Sequence, residues 1–349
     1  MNAKKQVSVG GVLIGGGASV KIQSMTTAKV ADVEKTVAQI AKLERAGCEI
    51  VRVAIADELD AFALKKVREQ SGVPIVADIH FSPKLAVLAI ENGADKVRIN
   101  PGNIGGEKQI EYVADCVKAH KIPVRVGANT GSIEKNFLEK YGKNEYSLVE
   151  SALYNVGILE KYGVQDIVIS VKASSVPLTA KAYTLLAQKC DYPLHLGVTE
   201  AGTTQSGVVK SAVGIGSLLL NGIGDTIRVS LTDDPVKEVE AAKLILRACE
   251  LDKNFIEVVS CPTCGRCSWD SMGLAEKVQN AVKTVQKSGK IAVMGCVVNG
   301  PGEAKDADLG IAGGNGSCLI FKKGEPFKKV AIENAEEEFF KEIRLWINE

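Results

Sequence analysis

The sequence lacks several features that would place it in common functional classes. The 349-residue chain has 43 basic and 42 acidic residues, so it has no broad basic face for a nucleic acid. No apolar run approaches the ~18 residues that a membrane-spanning helix needs, and no apolar stretch follows the first lysines, so no signal peptide is visible. These absences predict a cytoplasmic protein that binds neither nucleic acid nor membrane.

Nucleotide-binding fingerprints are also missing. The pair Gly214-Ile-Gly216 has no third glycine after it, and there is no GxxxxGK[ST] motif. The nine cysteines are unevenly spaced, which is not the pattern of a secreted disulfide framework. A reducing compartment is therefore the simplest location for the chain.

Short β-branched segments alternate with helical patterns through the first two thirds of the chain. Strands are predicted at 20–24, 49–55, 74–79, 95–100, 123–128, 166–172, 193–200 and 225–231. Helices are predicted at 30–46, 60–71, 84–93, 106–120 and 147–163. Eight such repeats predict an α/β fold of the (β/α)8 barrel type. A doubly wound sheet is the alternative, but it would require a glycine-rich phosphate turn after its first strand.

The pattern changes after about residue 250. Strands are predicted at 255–260 and 290–294, helices at 274–288 and 334–347, and a glycine-rich turn at 310–316 leading into a strand at 317–321. These segments predict a small α+β domain. The predicted division is a barrel domain over residues 1–253 and a second domain over 254–349.

Four predicted barrel strands carry an arginine between β-branched residues. They are Arg52, Arg98, Arg125 and Arg228. One interpretation is structural ion pairing inside the barrel, with Asp78, Glu200 or Asp225 as counterions. However, His80, Asn100, Asn129, Lys172 and Ser230 also lie at or beyond the carboxyl ends of strands, where barrel enzymes build their sites. Together they predict a site for a polyanionic small molecule such as a diphosphate, with Glu200 as an acid or base.

Cysteines near the end of the chain have the spacing of a metal site. Cys261-Pro-Thr-Cys264 is followed by Cys267 and, in a second turn, by Cys296. Four thiolates would form a closed structural zinc site. Alternatively, Cys261, Cys264 and Cys296 hold an iron–sulfur cluster, and Glu303 completes the ligand set. The spacing alone leaves both sets open.

Seven motifs together identify a resemblance that runs from about residue 5 to the end of the chain. They are Gln23-Ser-Met-Thr, Val76-Ala-Asp-Ile-His80, Arg98-Ile-Asn-Pro-Gly-Asn-Ile-Gly105, Gly197-Val-Thr-Glu-Ala-Gly202, Gly224-Asp-Thr-Ile-Arg-Val-Ser-Leu231, Cys261-Pro-Thr-Cys264 and Gly295-Cys-Val-Val-Asn-Gly-Pro-Gly-Glu303. The set resembles the bacterial 4-hydroxy-3-methylbut-2-en-1-yl diphosphate synthase family.

The resemblance implies a TIM barrel followed by a reductase-like domain with a 4Fe–4S cluster. Its ligands would be Cys261, Cys264, Cys296 and Glu303. It implies the substrate 2-C-methyl-D-erythritol 2,4-cyclodiphosphate and the product 4-hydroxy-3-methylbut-2-enyl diphosphate. Electrons would come from flavodoxin or ferredoxin, and the chain would form a head-to-tail homodimer.

The resemblance also implies roles for individual residues. The diphosphate would be held by Arg52, Arg98, Arg125, Lys172 and Ser230, with His80, Asn100 and Asn129 nearby. Glu200 would be the acid or base near the reacting carbon, and Asn299 would lie near the cluster. Cys267 departs from the family pattern, in which another residue is common at this place, and a spare thiol there could compete with Glu303. A zinc-stapled barrel enzyme without redox chemistry and a non-catalytic iron–sulfur carrier are the alternatives.

Overall fold

The computed structural model describes residues 5–100, 104–296, 304–314 and 316–349. The chain forms two compact units that divide between Leu251 and Asp252. Each unit has its own sheet and its own hydrophobic core. In the described part of the chain, no helix is long and apolar enough to cross a membrane.

The first unit is a closed parallel barrel. Its eight strands are β3 (Lys21–Met25), β4 (Ile50–Ala54), β5 (Ile75–Asp78), β6 (Lys96–Ile99), β7 (Val124–Asn129), β8 (Ile167–Lys172), β9 (His195–Leu196) and β10 (Thr226–Ile227). Their order is β8-β7-β6-β5-β4-β3-β10-β9, and a bridge from Ile169 to Leu194 joins the two ends. The predicted (β/α)8 barrel is confirmed.

Helices connect these strands and cover the outside of the barrel. They are α1 (Val33–Ala46), α2 (Glu58–Glu69), α3 (Pro83–Glu91), α4 (Glu107–His120), α5 (Lys135–Tyr141), α6 (Glu145–Lys161), α7 (Val176–Lys189), α8 (Thr204–Leu220) and α9 (Pro235–Ala248). Several begin at a short polar side chain that accepts a backbone N–H, as Asp57 and Ser82 do. Their apolar faces pack on outward-facing valines and isoleucines of the strands.

An antiparallel hairpin precedes the barrel and was not predicted. It consists of β1 (Gln6–Val9) and β2 (Val12–Gly15). Val9 and Ile14 pack against Ile50 and Val76 near the starts of β4 and β5, and all four are 0% exposed. The amino-terminal end of the barrel is therefore closed by apolar contacts, which leaves the opposite end for polar chemistry.

The second unit is an α+β domain, as predicted, with one mixed sheet. Its strands are β11 (Ile256–Ser260), β12 (Gly289–Met294), β13 (Leu309–Gly314), β14 (Ser317–Lys322) and β15 (Glu325–Ala331). The first three are parallel and the last two pair antiparallel, in chain order. Helices α10 (Ser271–Val282) and α11 (Ala335–Asn348) supply Val278 and Phe339 to its core.

Two predictions for this unit are wrong. The segment 310–316 was predicted as a turn, but Leu309–Gly314 is a strand. Its glycines are required by packing, because a Cβ on Gly310 would lie 2.2 Å from the Phe321 ring and one on Gly313 would lie 2.0 Å from Trp269 Nε1. The helix predicted at 274–288 ends at Val282, since the chain must turn back to begin β12 beside β11.

Candidate active site

Polar side chains collect at the carboxyl ends of the barrel strands. The predicted binding residues found on or directly after these strands are Arg52, His80, Arg98, Asn100, Arg125, Asn129, Lys172 and Ser230. Among them, Arg98, Asn100, Arg125 and Lys172 are between 1% and 7% exposed. Because alternate residues of a strand face the same way, the arginines and the lysine point into the barrel rather than toward the helices.

Asp78 at the end of β5 is the carboxylate around which three of these residues gather. Its oxygens lie 3.0 Å from Arg98 Nη1, 3.6 Å from Arg52 Nε and 3.5 Å from His80 Nε2. Burial alone would raise the pKa of Asp78, but the charge of Arg52, the hydrogen bond from His80 and the charge of Arg98 together hold it well below its ordinary value. Of the three counterions that the ion-pairing interpretation offered, Asp78 is the one that makes these contacts with Arg98 and Arg52.

Three further cations lie deep in the barrel. Lys96, Arg125 and Lys172 are 1%, 1% and 7% exposed. Burial, and then the positive charges of Arg125 and Arg52, hold the pKa of Lys172 well below its ordinary value. The same causes lower the pKa of Lys96. Burial also lowers the pKa of Arg52, to about 10, against the opposing charge of Asp78.

Two glycines make room for cationic side chains. A Cβ on Gly127 of β7 would lie 2.9 Å from Arg98 Nε and 3.1 Å from its Nη2. A Cβ on Gly197, just after β9, would lie 2.7 Å from Lys172 Nζ and 2.8 Å from the backbone oxygen of Arg228. The heads of Arg98 and Lys172 therefore occupy space that any other residue at these positions would fill.

Arg228 has a structural partner that was not predicted. Its guanidinium lies 3.4 Å from Glu238 of α9, which is 4% exposed. Glu238 also accepts hydrogen bonds from Ser24 Oγ at 2.9 Å and from the Leu231 backbone at 3.0 Å. The ion-pairing interpretation thus applies to Arg228, although its counterion comes from a helix.

Glu200 lies in the loop after β9 and its side chain is exposed. Its backbone has φ 55°, in the left-handed region. This conformation costs a glutamate on the order of 1 kcal/mol, and such strain concentrates at functional sites. The loop therefore holds an acid at the end of the barrel where the cations collect.

The two barrel histidines have different surroundings. The His80 side chain is 53% exposed beside Asp78. His195 is 0% exposed, and its Nδ1 lies 2.7 Å from Thr226 Oγ1. Burial, followed by the charge of Lys172, lowers the pKa of His195, so it is neutral at pH 7. These contacts agree with the interpretation of His195 as barrel filling.

The barrel interior carries more positive than negative charge. The cations described above are Arg52, Lys96, Arg98, Arg125, Lys172 and Arg228, and the carboxylates among them are Asp78 and Glu238. Arg98 Nε and Arg125 Nε are buried and have no hydrogen-bond partner in the described part of the chain. Buried donors and uncompensated cations together require acceptor oxygens, which a diphosphate supplies.

The cysteine turns of the second unit follow two neighbouring strands. Cys261 comes directly after β11, and Cys296 comes two residues after β12. The strands are parallel and pair Ser260 with Val293, so both thiols lie at the same edge of the sheet. Cys261 Sγ accepts the Gly295 backbone N–H at 3.1 Å. This is the kind of hydrogen bond that tunes a metal-bound sulfur.

Cys264 and Cys267 differ in their surroundings. Cys264 is exposed, whereas the thiol of Cys267 lies 3.1 Å from the Trp269 backbone oxygen and 3.3 Å from Ser271 Oγ. These contacts at the start of α10 give Cys267 a local structural role. They weigh against its use as a fourth thiolate of a closed zinc site.

Asn299 and Glu303, predicted near the cluster and as its ligand, lie outside the described residues. Among the described residues, no three His, Cys, Asp or Glu side chains form a site for a single metal ion. All nine cysteines are free thiols. Thiolates are the soft ligands that iron–sulfur groups bind. Cys261 and Cys296 follow adjacent strands, and the exposed Cys264 comes three residues after Cys261, so these three thiols suit such a group.

Several residues of the site were not predicted. Gln23 of β3 accepts a hydrogen bond from Arg125, Glu238 pairs with Arg228, and Lys96 adds a buried cation. Lys96 lies two residues before Arg98, so the period of the strand could have indicated it. Glu238 comes from a helix whose own pattern gives no such signal.

The fold and these residues define a (β/α)8-barrel protein with a cationic mouth, followed by a thiol-bearing α+β domain. The chain belongs to the GcpE family: it matches the model of the GcpE TIM-barrel domain over residues 4–243 and that of the GcpE protein C-terminal domain over residues 257–345. The family resemblance identified from the motifs is thereby confirmed.

Curated relatives cover almost the whole chain. A protein of Caldanaerobacter subterraneus subsp. tengcongensis is 54% identical, over 99% of this chain and 98% of its own length. One of Brevibacillus brevis is 54% identical over 99% and 96%, and one of Clostridium perfringens is 52% identical over 98% and 99%. Each is named 4-hydroxy-3-methylbut-2-en-1-yl diphosphate synthase (flavodoxin). The prediction of an oxidoreductase of isoprenoid biosynthesis is confirmed at this level.

Solved structures resemble the chain in fold. A truncated 3-deoxy-D-arabino-heptulosonate 7-phosphate synthase of Thermotoga maritima has a TM-score of 0.52 at 14% identity, covering 71% of this chain and 91% of that one. The N-acetylneuraminic acid synthetase of Leptospira borgpetersenii has a TM-score of 0.51 at 13% identity, covering 80% and 98%. At these identities the likeness shows the barrel fold alone.

Proposed function

We propose that this chain converts 2-C-methyl-D-erythritol 2,4-cyclodiphosphate to 4-hydroxy-3-methylbut-2-enyl diphosphate by reductive ring opening and loss of a hydroxyl group. The observation that carries the proposal is the buried, cation-rich end of the barrel, where Asp78 and Glu238 are the carboxylates seen to pair with its arginines and are fewer than the cations. A cyclic diphosphate brings the negative charge that this cavity lacks. The curated relatives that carry this activity in their names support the same substrate.

The barrel residues bind and orient the substrate. We assign the diphosphate to Arg52, Arg98, Arg125, Lys172 and Ser230, with His80, Asn100 and Asn129 beside it. Arginines hold phosphate oxygens with two parallel N–H groups, which fixes the orientation of the ring to be opened. Diphosphate is the leaving group of ring opening, so the same cations stabilise the charge that develops on it.

A proton is needed where the hydroxyl departs. Glu200 is the acid assigned to this step, because its loop follows β9 at the substrate end of the barrel. The backbone of Glu200 is strained at its φ of 55°. This conformation persists because the surrounding structure holds the loop in it. Asn299 is assigned a supporting role near the cluster.

A 4Fe–4S cluster is the cofactor proposed for the second unit, with Cys261, Cys264, Cys296 and Glu303 as its ligands. When bound, it would relay the two electrons of the reduction from the electron carrier and would provide a Lewis-acidic iron. The described thiols fit this group, since Cys261 and Cys296 share one sheet edge and Cys264 is exposed beside them.

The remaining assignments concern organisation and partners. Residues 1–253 form the substrate-binding domain and residues 254–349 the cluster domain. Flavodoxin, which stands in the names of the relatives, or a ferredoxin delivers the electrons. The chain works as a homodimer in the cytoplasm, where reducing conditions protect nine free thiols.

The test is anaerobic purification followed by iron and sulfide analysis and turnover of the cyclic diphosphate with a chemical reductant. We expect about four irons and four sulfides per chain and formation of the enyl diphosphate. Cys261→Ser should lose iron and activity together. Cys116→Ser, which alters a thiol on the outer helix α4, is the matched control and should keep both.

Two outcomes would overturn the proposal separately. Zinc in place of iron in the purified protein would reject the cofactor and favour a non-redox barrel enzyme. Intact cluster without turnover of the cyclic diphosphate would reject the substrate while leaving the cluster assignment in place.

A further inference from the structure

Strand β3 positions two arginines of the proposed diphosphate site (hereafter the anion site), Arg125 and Arg52, through uncharged hydrogen-bond acceptors. Arg125 Nη1 donates to Gln23 Oε1 at 3.0 Å, and Gln23 and Arg125 are 2% and 1% exposed. In the ring of eight strands β3 and β7 lie four places apart, on opposite sides. The Gln23 amide therefore reaches across the barrel to fix the position of this guanidinium.

Met25, two residues further along the same strand, does the same for Arg52. Its Sδ accepts from Arg52 Nε at 3.1 Å and from Nη2 at 2.9 Å. The nearest Asp78 oxygen lies 3.6 Å from Arg52 Nε, which is longer than an ordinary hydrogen bond. Gln23 and Met25 lie on the same face of β3, so this strand presents uncharged acceptors into the barrel.

An uncharged acceptor affects the charge of an arginine differently from a carboxylate. The uncharged acceptor fixes a guanidinium without cancelling its charge, whereas Asp78 and Glu238 do both. The amide nitrogen of Gln23 and Nε of Arg125 are buried and have no partner among the described residues. Because buried donors are normally hydrogen-bonded, these two unpaired donors on contacting side chains indicate that a bound ligand supplies their acceptors.

We infer that Gln23 is a positioning residue of the anion site, which holds Arg125 in place for the ligand and keeps its charge available. This inference rests on the proposed diphosphate site and adds a residue outside the set assigned to substrate. The competing explanation is structural, in which Gln23 only satisfies a buried arginine. The two differ in what a negative charge at position 23 does.

The test is Gln23→Glu, a substitution that keeps the shape and the acceptor and adds one charge. A carboxylate about 8 Å from a phosphate group weakens its binding by roughly 30-fold at an effective dielectric of about 20. We expect KM for the cyclic diphosphate and Kd for inorganic pyrophosphate to rise by about this factor, with kcat near wild type. The melting temperature should not fall, because Arg125 gains a charged partner.

Gln70→Glu is the matched control. Gln70 follows α2 and is exposed at the end of the helix that faces away from the carboxyl ends of the strands. The Gln70→Glu substitution adds the same charge far from the anion site and should leave KM and Kd unchanged. Gln23→Met, which removes the acceptor without adding charge, should lower the melting temperature and raise KM, and it replaces Gln23→Glu as the test if that variant does not fold.

The outcomes separate this inference from the proposed function. Unchanged KM and Kd in folded Gln23→Glu, with a wild type that turns over substrate, would reject the positioning role alone. A wild type that binds pyrophosphate but not the cyclic diphosphate would reject the proposed substrate, and the pyrophosphate affinities would still decide the role of Gln23. A wild type that binds neither would overturn both.

Discussion

Gly127→Ala is the substitution for which the structure gives the most direct expectation. The added methyl would lie 2.9 Å from Arg98 Nε, 3.1 Å from Nη2 and 3.2 Å from Ser170 Oγ. Comfortable contacts to carbon are about 3.5–4.0 Å. The guanidinium must therefore move by several tenths of an ångström, although its bond to Asp78 at 3.0 Å holds it.

Two losses follow from this displacement. Crowding a packed interior typically costs about 1–3 kcal/mol of unfolding free energy. A misplaced hydrogen bond to a charged group costs about 1.5–3 kcal/mol of binding free energy, or roughly 10- to 150-fold in Kd. Urea unfolding and anaerobic titration calorimetry with the cyclic diphosphate measure the two losses separately.

Gly157→Ala is the matched control for the added methyl. Gly157 lies in α6, and a Cβ there has no neighbour within 4 Å. A helical Gly→Ala change should stabilise the protein by about 0.5–1 kcal/mol and leave Kd unchanged. If Gly127→Ala acts through Arg98, adding it to Arg98→Met should weaken binding little further. A folded Gly127→Ala protein with wild-type affinity would refute the reasoning.

Three more predictions follow from the contacts. Cys267→Ser should keep its iron, since that thiol bonds Trp269 and Ser271; iron loss as large as in Cys261→Ser would revise the ligand set. Glu200→Gln should bind substrate normally but turn over about 10²–10⁴-fold more slowly, and near-normal turnover with a chemical reductant would contradict its role. Because burial and neighbouring cations hold the pKa of Lys172 well below its ordinary value, an anionic ligand should raise that pKa, and the protein should take up protons on binding at pH values between the pKa without ligand and the pKa with it. Calorimetry in buffers of different ionisation enthalpy checks this, and a heat independent of the buffer would contradict it.

The barrel could be predicted from the sequence because each of its units repeats one local pattern. All eight predicted strand segments overlap an observed strand, although β9 and β10 are only two residues long. The hairpin of β1 and β2 was missed because four-residue strands joined by glycines have little periodic signal. In the second unit the glycines of β13 suggested a turn, since only the folded protein reveals the aromatic rings that they accommodate.

The candidate site could be predicted only in part for a similar reason. The strand-end rule found the arginines and Lys172 one strand at a time, because each position follows from local spacing. Their partners depend on contacts between distant residues: Gln23 and Arg125 are 102 positions apart, and Ser24 and Glu238 are 214. No local pattern carries this information, so Glu238 and Gln23 appeared only with the fold.

These distant contacts divide the cations of the barrel into two kinds. Arg228 is tied to Glu238, and Arg98 to Asp78, so their charges are largely balanced within the chain. Arg125 has the Gln23 amide as its hydrogen-bond partner among the described residues, and burial together with the neighbouring arginines lowers its pKa well below the ordinary value. A barrel selected for stability alone would replace such a cation with an apolar residue, because unbalanced buried charge is costly. Its presence is explained if the missing charge arrives with the ligand, so that the free energy lost by the empty barrel is recovered when the diphosphate binds.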